Sequence, residues 1–209
     1  MKRVAVVCES ATDEPILKRI IDGLIADDVE FKESPVRRRA GGVGSLLAQL
    51  EAIFLSVHFR SDCNGMAVIC DADTSKVRWT DINQGVSDRL EQMRQIVASA
   101  RKKLNPGRIG GELKVAFGIA IPCLEAWLLC GKDHGVSERA WIEAKRNNRS
   151  APYPGQQLKQ FVYGTDRPAG DVQRDRGVEE ATRVASILDR LENDFPIGFG
   201  SLAKEIRSW

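Results

Sequence analysis

The segment MAVICDADTSK, from Met66 to Lys76, sets two carboxylates, Asp71 and Asp73, one residue apart directly after an apolar run. Two more apolar runs end in acids: VAVVCE brings Glu9 and IAIPCLEAW brings Glu125. Carboxylates gathered in one place repel one another and raise each other's pKa, and a cation between them removes that conflict. Magnesium prefers oxygen ligands and keeps waters or substrate phosphates in its shell. A shared acid site of this kind therefore suits Mg2+ or Mn2+. An isolated D-x-D after a strand also serves as a cap or a turn, and both readings of Asp71 and Asp73 stand at this level.

Whether the acids meet depends on the elements that carry them. Val4 to Cys8, Val29 to Ser34, Met66 to Cys70 and Leu113 to Ile121 read as strands, mostly short apolar runs of the doubly buried kind. Between them the apolar spacing turns helical. One helix covers Glu14 to Ile25, with Thr12 or Asp13 as its cap and Pro15 in its first turn. Others cover Ser45 to Phe59 and Gln84 to Leu104, and a further one starts at Leu124. Strands alternating with helices predict a parallel, doubly wound α/β sheet. Ligands of such sheets bind beyond the carboxyl ends of the strands. Glu9, Asp71, Asp73 and Glu125 are expected to converge there, with Asp13, at the start of the first helix, beside them.

After about Gly131 the pattern is helical: Ser137 to Arg146, Gln156 to Val162, Val178 to Leu191 and Ser201 to Ile206. YGTDRPAGDVQRDRG reads as a polar connection. The expected organisation is an α/β domain over residues 1–135 and a helical extension over 136–209 packed on it.

At 209 residues and 43% hydrophobic, the chain can bury a sizeable core. Its net charge of +2 excludes a general polycation, so any nucleic-acid contact rests on local basic clusters. The longest apolar runs are too short to span a bilayer. MKRVAVVCES is basic, then apolar, then acidic, and reads as a first strand rather than a signal peptide. Five cysteines without a C-x-x-C pair and only two histidines argue against zinc. Reduced thiols in a cytoplasmic protein are the simple expectation. Cys8, Cys70 and Cys123, close to the acids, read as small packing residues.

Together these pieces resemble the Toprim domain, the metal-binding fold of topoisomerases, primases and OLD-type nucleases. CESATD looks like that family's E-G-x-T-E/D segment and places Glu9 and Asp13; DAD places Asp71 and Asp73 on its D-x-D. IPCLEAWLL resembles the NPCFE-x-W-L-L segment of RloB-like proteins of bacterial anti-phage systems, with Glu125 as a site acid and Trp127 as its packing support. The resemblance covers roughly residues 1–131. It implies a Toprim-like sheet and metal-dependent nuclease activity on DNA or RNA, with one or two magnesium ions held by Asp71, Asp73 and Glu125. Glu9 would be a ligand or a general acid/base. Ser10 departs from the family's glycine, and AGGVGSLL lacks the G-K-[ST] of a P-loop. The implied ATPase partner is therefore a separate ABC-type subunit.

Lys76 is either a charge stabiliser for the phosphate or a solvated loop lysine. Arg37, Arg38 and Arg39, and Arg101, Lys102 and Lys103 with Arg108, are candidates for tracking a phosphate backbone, against the alternative of an exposed loop or helix end. Two rival functions remain. VICDADTS also fits a haloacid-dehalogenase-type phosphohydrolase with Asp71 as nucleophile, although no later strand followed by D-D supplies its magnesium acids. The acids could also hold a metal in a non-catalytic regulatory subunit.

Overall fold

The structure, a computed structural model, describes residues 1–33, 42–72, 77–81, 84–104, 112–132, 135–147, 149–150, 152–153 and 155–209, with the backbone alone described at 77–81 and 84–87. Strands β1 (Lys2–Val7), β2 (Val29–Lys32), β3 (Gly65–Asp71) and β6 (Lys114–Ala120) form an all-parallel sheet in the order β2-β1-β3-β6. Val4–Val7 of β1, all of β3 except Asp71, and the second half of β6 are buried, as apolar runs covered on both faces should be.

With the right-handed crossovers that parallel sheets follow, this strand order puts α1 (Asp13–Leu24) on one face and α2 (Val43–Arg60) and α3 (Asp88–Lys102) on the other. On the first face α1 packs against α7 (Gly170–Ala185), and α9 (Phe199–Arg207) covers β6. On the second, α2 packs on α3. The helices after β6 thus complete the sheet's covering layer. They include α4 (Leu124–Leu128), α5 (Glu138–Arg146), α6 (Gly155–Tyr163) and α8 (Leu188–Asp194). One continuous apolar core runs from Val6 and Ile69 to Phe195 and Phe199. Among the described residues no helix is long and apolar enough to cross a membrane.

Three boundaries differ from the sequence expectation. Gln84–Ser87 is not the first turn of a helix but strand β5, antiparallel to β4 (Val77–Asp81) in a separate two-stranded ribbon. Gly85 and β-branched Val86 suit a strand better than a helix, and Asp88 opens α3 with an acid at its positive end. The segment from Gly170 to Gly177, expected as a connection, is the first half of α7. The expected helix over 178–191 is broken at Ser186 and Ile187 into α7 and α8.

Gly177 is where α7 crosses α1: a Cβ there would stand 2.2 Å from Cδ1 of buried Ile16. The helices can approach this closely only because that residue has no side chain.

Candidate metal and phosphate site

The strand order reverses between β1 and β3. That reversal opens a crevice at the carboxyl ends of these two strands, where open α/β sheets bind ligands. Glu9 follows β1 and Asp71 ends β3. The two are joined directly, Glu9 Oε1 accepting the Asp71 N–H at 2.8 Å. Asp71 Oδ1 in turn accepts the Leu124 N–H at 2.9 Å, an otherwise orphaned donor in the first turn of α4. This short helix carries Glu125, which is 3% exposed.

Asp13, the first residue of α1, completes the group. Ser10, at the position of the Toprim glycine, builds the approach to α1 through its hydroxyl, which accepts the Thr12 N–H at 3.1 Å. Thr12 is the cap residue of α1, but its side chain makes no capping bond. Glu9, Asp13 and Asp71 line a small cleft with Cys8, Leu17, Ile69, Cys70 and Leu124. Burial first, then the charges of Glu125 and Glu9, push the Asp13 carboxyl up to about 7; Lys159 and a hydrogen bond from Gln173 pull against the shift. The structure thus brings four of the expected acids, Glu9, Asp13, Asp71 and Glu125, to one end of the sheet.

Asp73, Lys76, Arg37, Arg38, Arg39 and Arg108 lie outside the described residues. Arg101, Lys102 and Lys103 are described, and they do not line the acid cleft. They sit at the C-terminal end of α3, beside the start of β6, at the opposite edge of the sheet. Arg101 Nη2 donates to the Leu113 carbonyl at 2.9 Å, and Lys103 pairs with Glu51 at 2.5 Å. The first contact holds the end of α3 against the entry to β6, and the second ties it to α2.

Cys8, Cys70 and Cys123 are buried free thiols. Burial, followed by the charges of Glu125 and Asp71, pushes the Cys123 thiol well up, away from nucleophilic chemistry. Trp127 is fully buried edge-on against Phe199, with ring centroids 5.3 Å apart. Trp141 and Trp209 are packing residues too: Trp141 is buried under Lys145, and Trp209 lies over Gly65.

Four polar side chains at the site escaped sequence reasoning. Arg89, in the first turn of α3, donates from Nη1 to the Asp71 carbonyl at 2.5 Å. Gln173 Nε2 donates to Asp13 Oδ1 at 3.1 Å. Lys159 acts on Asp13 through its charge, and Tyr163 lies in the field of Glu125 and Asp13. A partner 160 residues away, as Gln173 is from Asp13, leaves no local signature in a single sequence.

An all-oxygen donor set suits a hard divalent cation. Among the described residues, no three acidic, histidine or cysteine side chains already stand close enough together to hold one. Glu9 Oε1 and Asp71 Oδ1 are turned to backbone N–H groups. A complete shell therefore needs Asp73, or a rotation of Asp13 or Glu125, beside Asp71. No protein-family model, curated protein or solved structure matches the chain.

Proposed function

We propose that the protein is a divalent-metal-dependent nuclease of Toprim type, hydrolysing phosphodiester bonds in DNA or RNA. The observation that carries this reading is the convergence of Glu9, Asp13, Asp71 and Glu125 on the carboxyl end of the parallel sheet, at its switch point, although the described side chains do not yet form a metal shell. Asp13, raised by burial and then by the charges of Glu125 and Glu9, marks a charge conflict that Mg2+ or Mn2+ would relieve. Asp71, Asp73 and Glu125 would hold the ion, with Asp13 and Glu9 beside them. The chemistry such an ion supplies is polarisation of the phosphate and activation of water near neutral pH. Glu9 fixes the end of β3 through the Asp71 N–H. Arg89 holds the Asp71 carbonyl, so the peptide that follows Asp71 is anchored before the substrate arrives. The regulatory-subunit reading shares these acids, and metal-dependent cleavage by the purified protein separates the two; an aspartyl-phosphate at Asp71 would instead favour the phosphohydrolase.

Asp13 gives the reading a pH signature. A carboxyl raised to about 7 is partly protonated at neutral pH, and cation binding must expel that proton. Mn2+ affinity, followed by titration calorimetry, should rise between about pH 6 and pH 8. In Asp13→Asn that rise should shrink.

The direct test is incubation of purified protein with plasmid DNA and total RNA, with Mg2+ or Mn2+ and with EDTA. It should be run with and without a separate ABC-type ATPase, the partner that the Toprim resemblance implies for a chain with no P-loop sequence. Metal-dependent cleavage that EDTA abolishes is the expected result. Absence of cleavage under every condition, with no metal-induced rise in melting temperature, would remove the nuclease reading.

A further inference from the structure

We infer that the C-terminal helices are a working half of the acid cleft: Lys159 meets a phosphate of the substrate, and Tyr163 positions Glu125. The inference rests on the nuclease reading and adds residues from outside the segment that resembles Toprim.

The geometry starts with Tyr163. Its side chain is 2% exposed, and its hydroxyl is buried without a hydrogen bond of good geometry. Buried hydroxyls in purely structural settings are nearly always paired. The charge acting most strongly on this one is that of Glu125, followed by Asp13. Helix α6, which ends in Tyr163, packs directly on α4, the helix that carries Glu125. The position of Tyr163 is fixed from behind. Arg176 Nη1 donates to its carbonyl at 2.8 Å, and Gly164, at φ +77°, turns the chain out of the helix. The donor is therefore held beside the carboxylates, where a small rotation of Glu125 would complete the bond.

Lys159 lies one turn earlier on the same face of α6. It is half-buried and makes no ion pair with a described residue, yet its charge reaches Asp13. A lysine kept near carboxylates without pairing to them suits an incoming phosphate oxygen, which it can meet as a point charge. Gln173 binds Asp13 from α7, so two helices of this lobe, α6 and α7, reach the acids.

The test uses the full chain with two variants and two probes. Tyr163→Phe keeps the ring and removes only the hydroxyl. Lys159→Met keeps most of the aliphatic stem. The first probe is MnCl2 alone, read as a rise in melting temperature. The second is a fluorescein-labelled oligonucleotide, DNA or RNA, titrated in CaCl2 to suppress cleavage and read by anisotropy across a range of salt. Tyr163→Phe should melt close to the wild-type temperature without metal, since the hydroxyl it removes has no hydrogen bond of good geometry. It should then need severalfold more MnCl2 for the same rise. Lys159→Met should respond to MnCl2 as wild type does. It should bind the oligonucleotide severalfold more weakly, with a salt slope shallower by about one.

If the wild type responds to both probes and both variants match it, the lobe is only a scaffold and the inference fails while the nuclease reading stands. If the wild type responds to neither probe, the nuclease reading fails and this inference falls with it.

Discussion

Asp71→Asn should lose about a hundredfold or more of the cleavage rate while melting close to the wild-type temperature. The two halves of that expectation have separate causes. Asparagine keeps an oxygen where Asp71 Oδ1 accepts the Leu124 N–H, so the first turn of α4 stays capped. The Glu9 bond goes to the backbone N–H of this residue and is indifferent to its side chain. What disappears is a negative charge that the proposed ion would need, together with part of the repulsion within the cleft. Asp71→Ala separates the two roles. It removes the charge and the cap acceptor alike, so it should lose activity and also about 1–2 kcal/mol of stability. Paired urea melts and cleavage rates for the two variants read both effects. Full activity in Asp71→Asn would sink every enzymatic reading of the D-x-D.

Glu138→Ala should be the most destabilising single change away from the cleft. Glu138 opens α5 and is 0% exposed. Its two oxygens accept the N–H groups of Ile197 and Gly198, each at 2.7 Å. This carboxyl ties α5 to the turn that leads into α9. The turn is pressed so tightly onto the sheet that a Cβ at Gly198 would come within 1.8 Å of the Ile119 carbonyl oxygen. Alanine at 138 would leave two buried donors without acceptors, at a cost of about 3 kcal/mol or more. In a protein of this size that lowers the melting temperature by roughly 10 °C.

Glu138 also has a pH signature. Burial pushes its carboxyl up to about 8, although both backbone bonds favour the charged form. A raised carboxyl stabilises the fold while protonated. Its contribution is whole below the usual carboxylate range and is lost as pH rises through about 8. Urea midpoints should therefore fall between about pH 5 and pH 8 in the wild type, and fall less in Glu138→Gln.

The positions of the acids were legible because each follows an apolar run. Strands buried on both faces need such runs, and their carboxyl ends share one edge in a parallel sheet. Glu9, Asp71 and Glu125 could be placed on that logic alone. The polar partners could not. Arg89 sits within a helical pattern in which only the apolar positions, such as Leu90, Met93 and Val97, announce themselves. The start of α7 was hidden for a related reason. GDVQRDRG has a polar, exposed face, and its buried residue Gly177 reads in sequence as a breaker. It is instead the small residue that lets α7 reach α1. Strand β5 was masked because Val86, Leu90 and Met93 keep helical spacing across the true boundary at Asp88.

The placement of α9 on β6 has a consequence for how the protein is made. Leu202 sits against Gly118, within van der Waals reach of any Cβ there, and Phe199, Leu202, Ala203 and Ile206 are buried. A ribosome completes β6 some eighty residues before it reaches α9. Through that interval the nascent sheet would present a bare apolar face, the kind of surface that invites aggregation or chaperone capture. A fragment ending near residue 131 should share that liability permanently, and it would also lack Gln173 and Tyr163 beside the acids. The carboxylate cleft would thus gain its full set of neighbours only after α6 and α7 have been made.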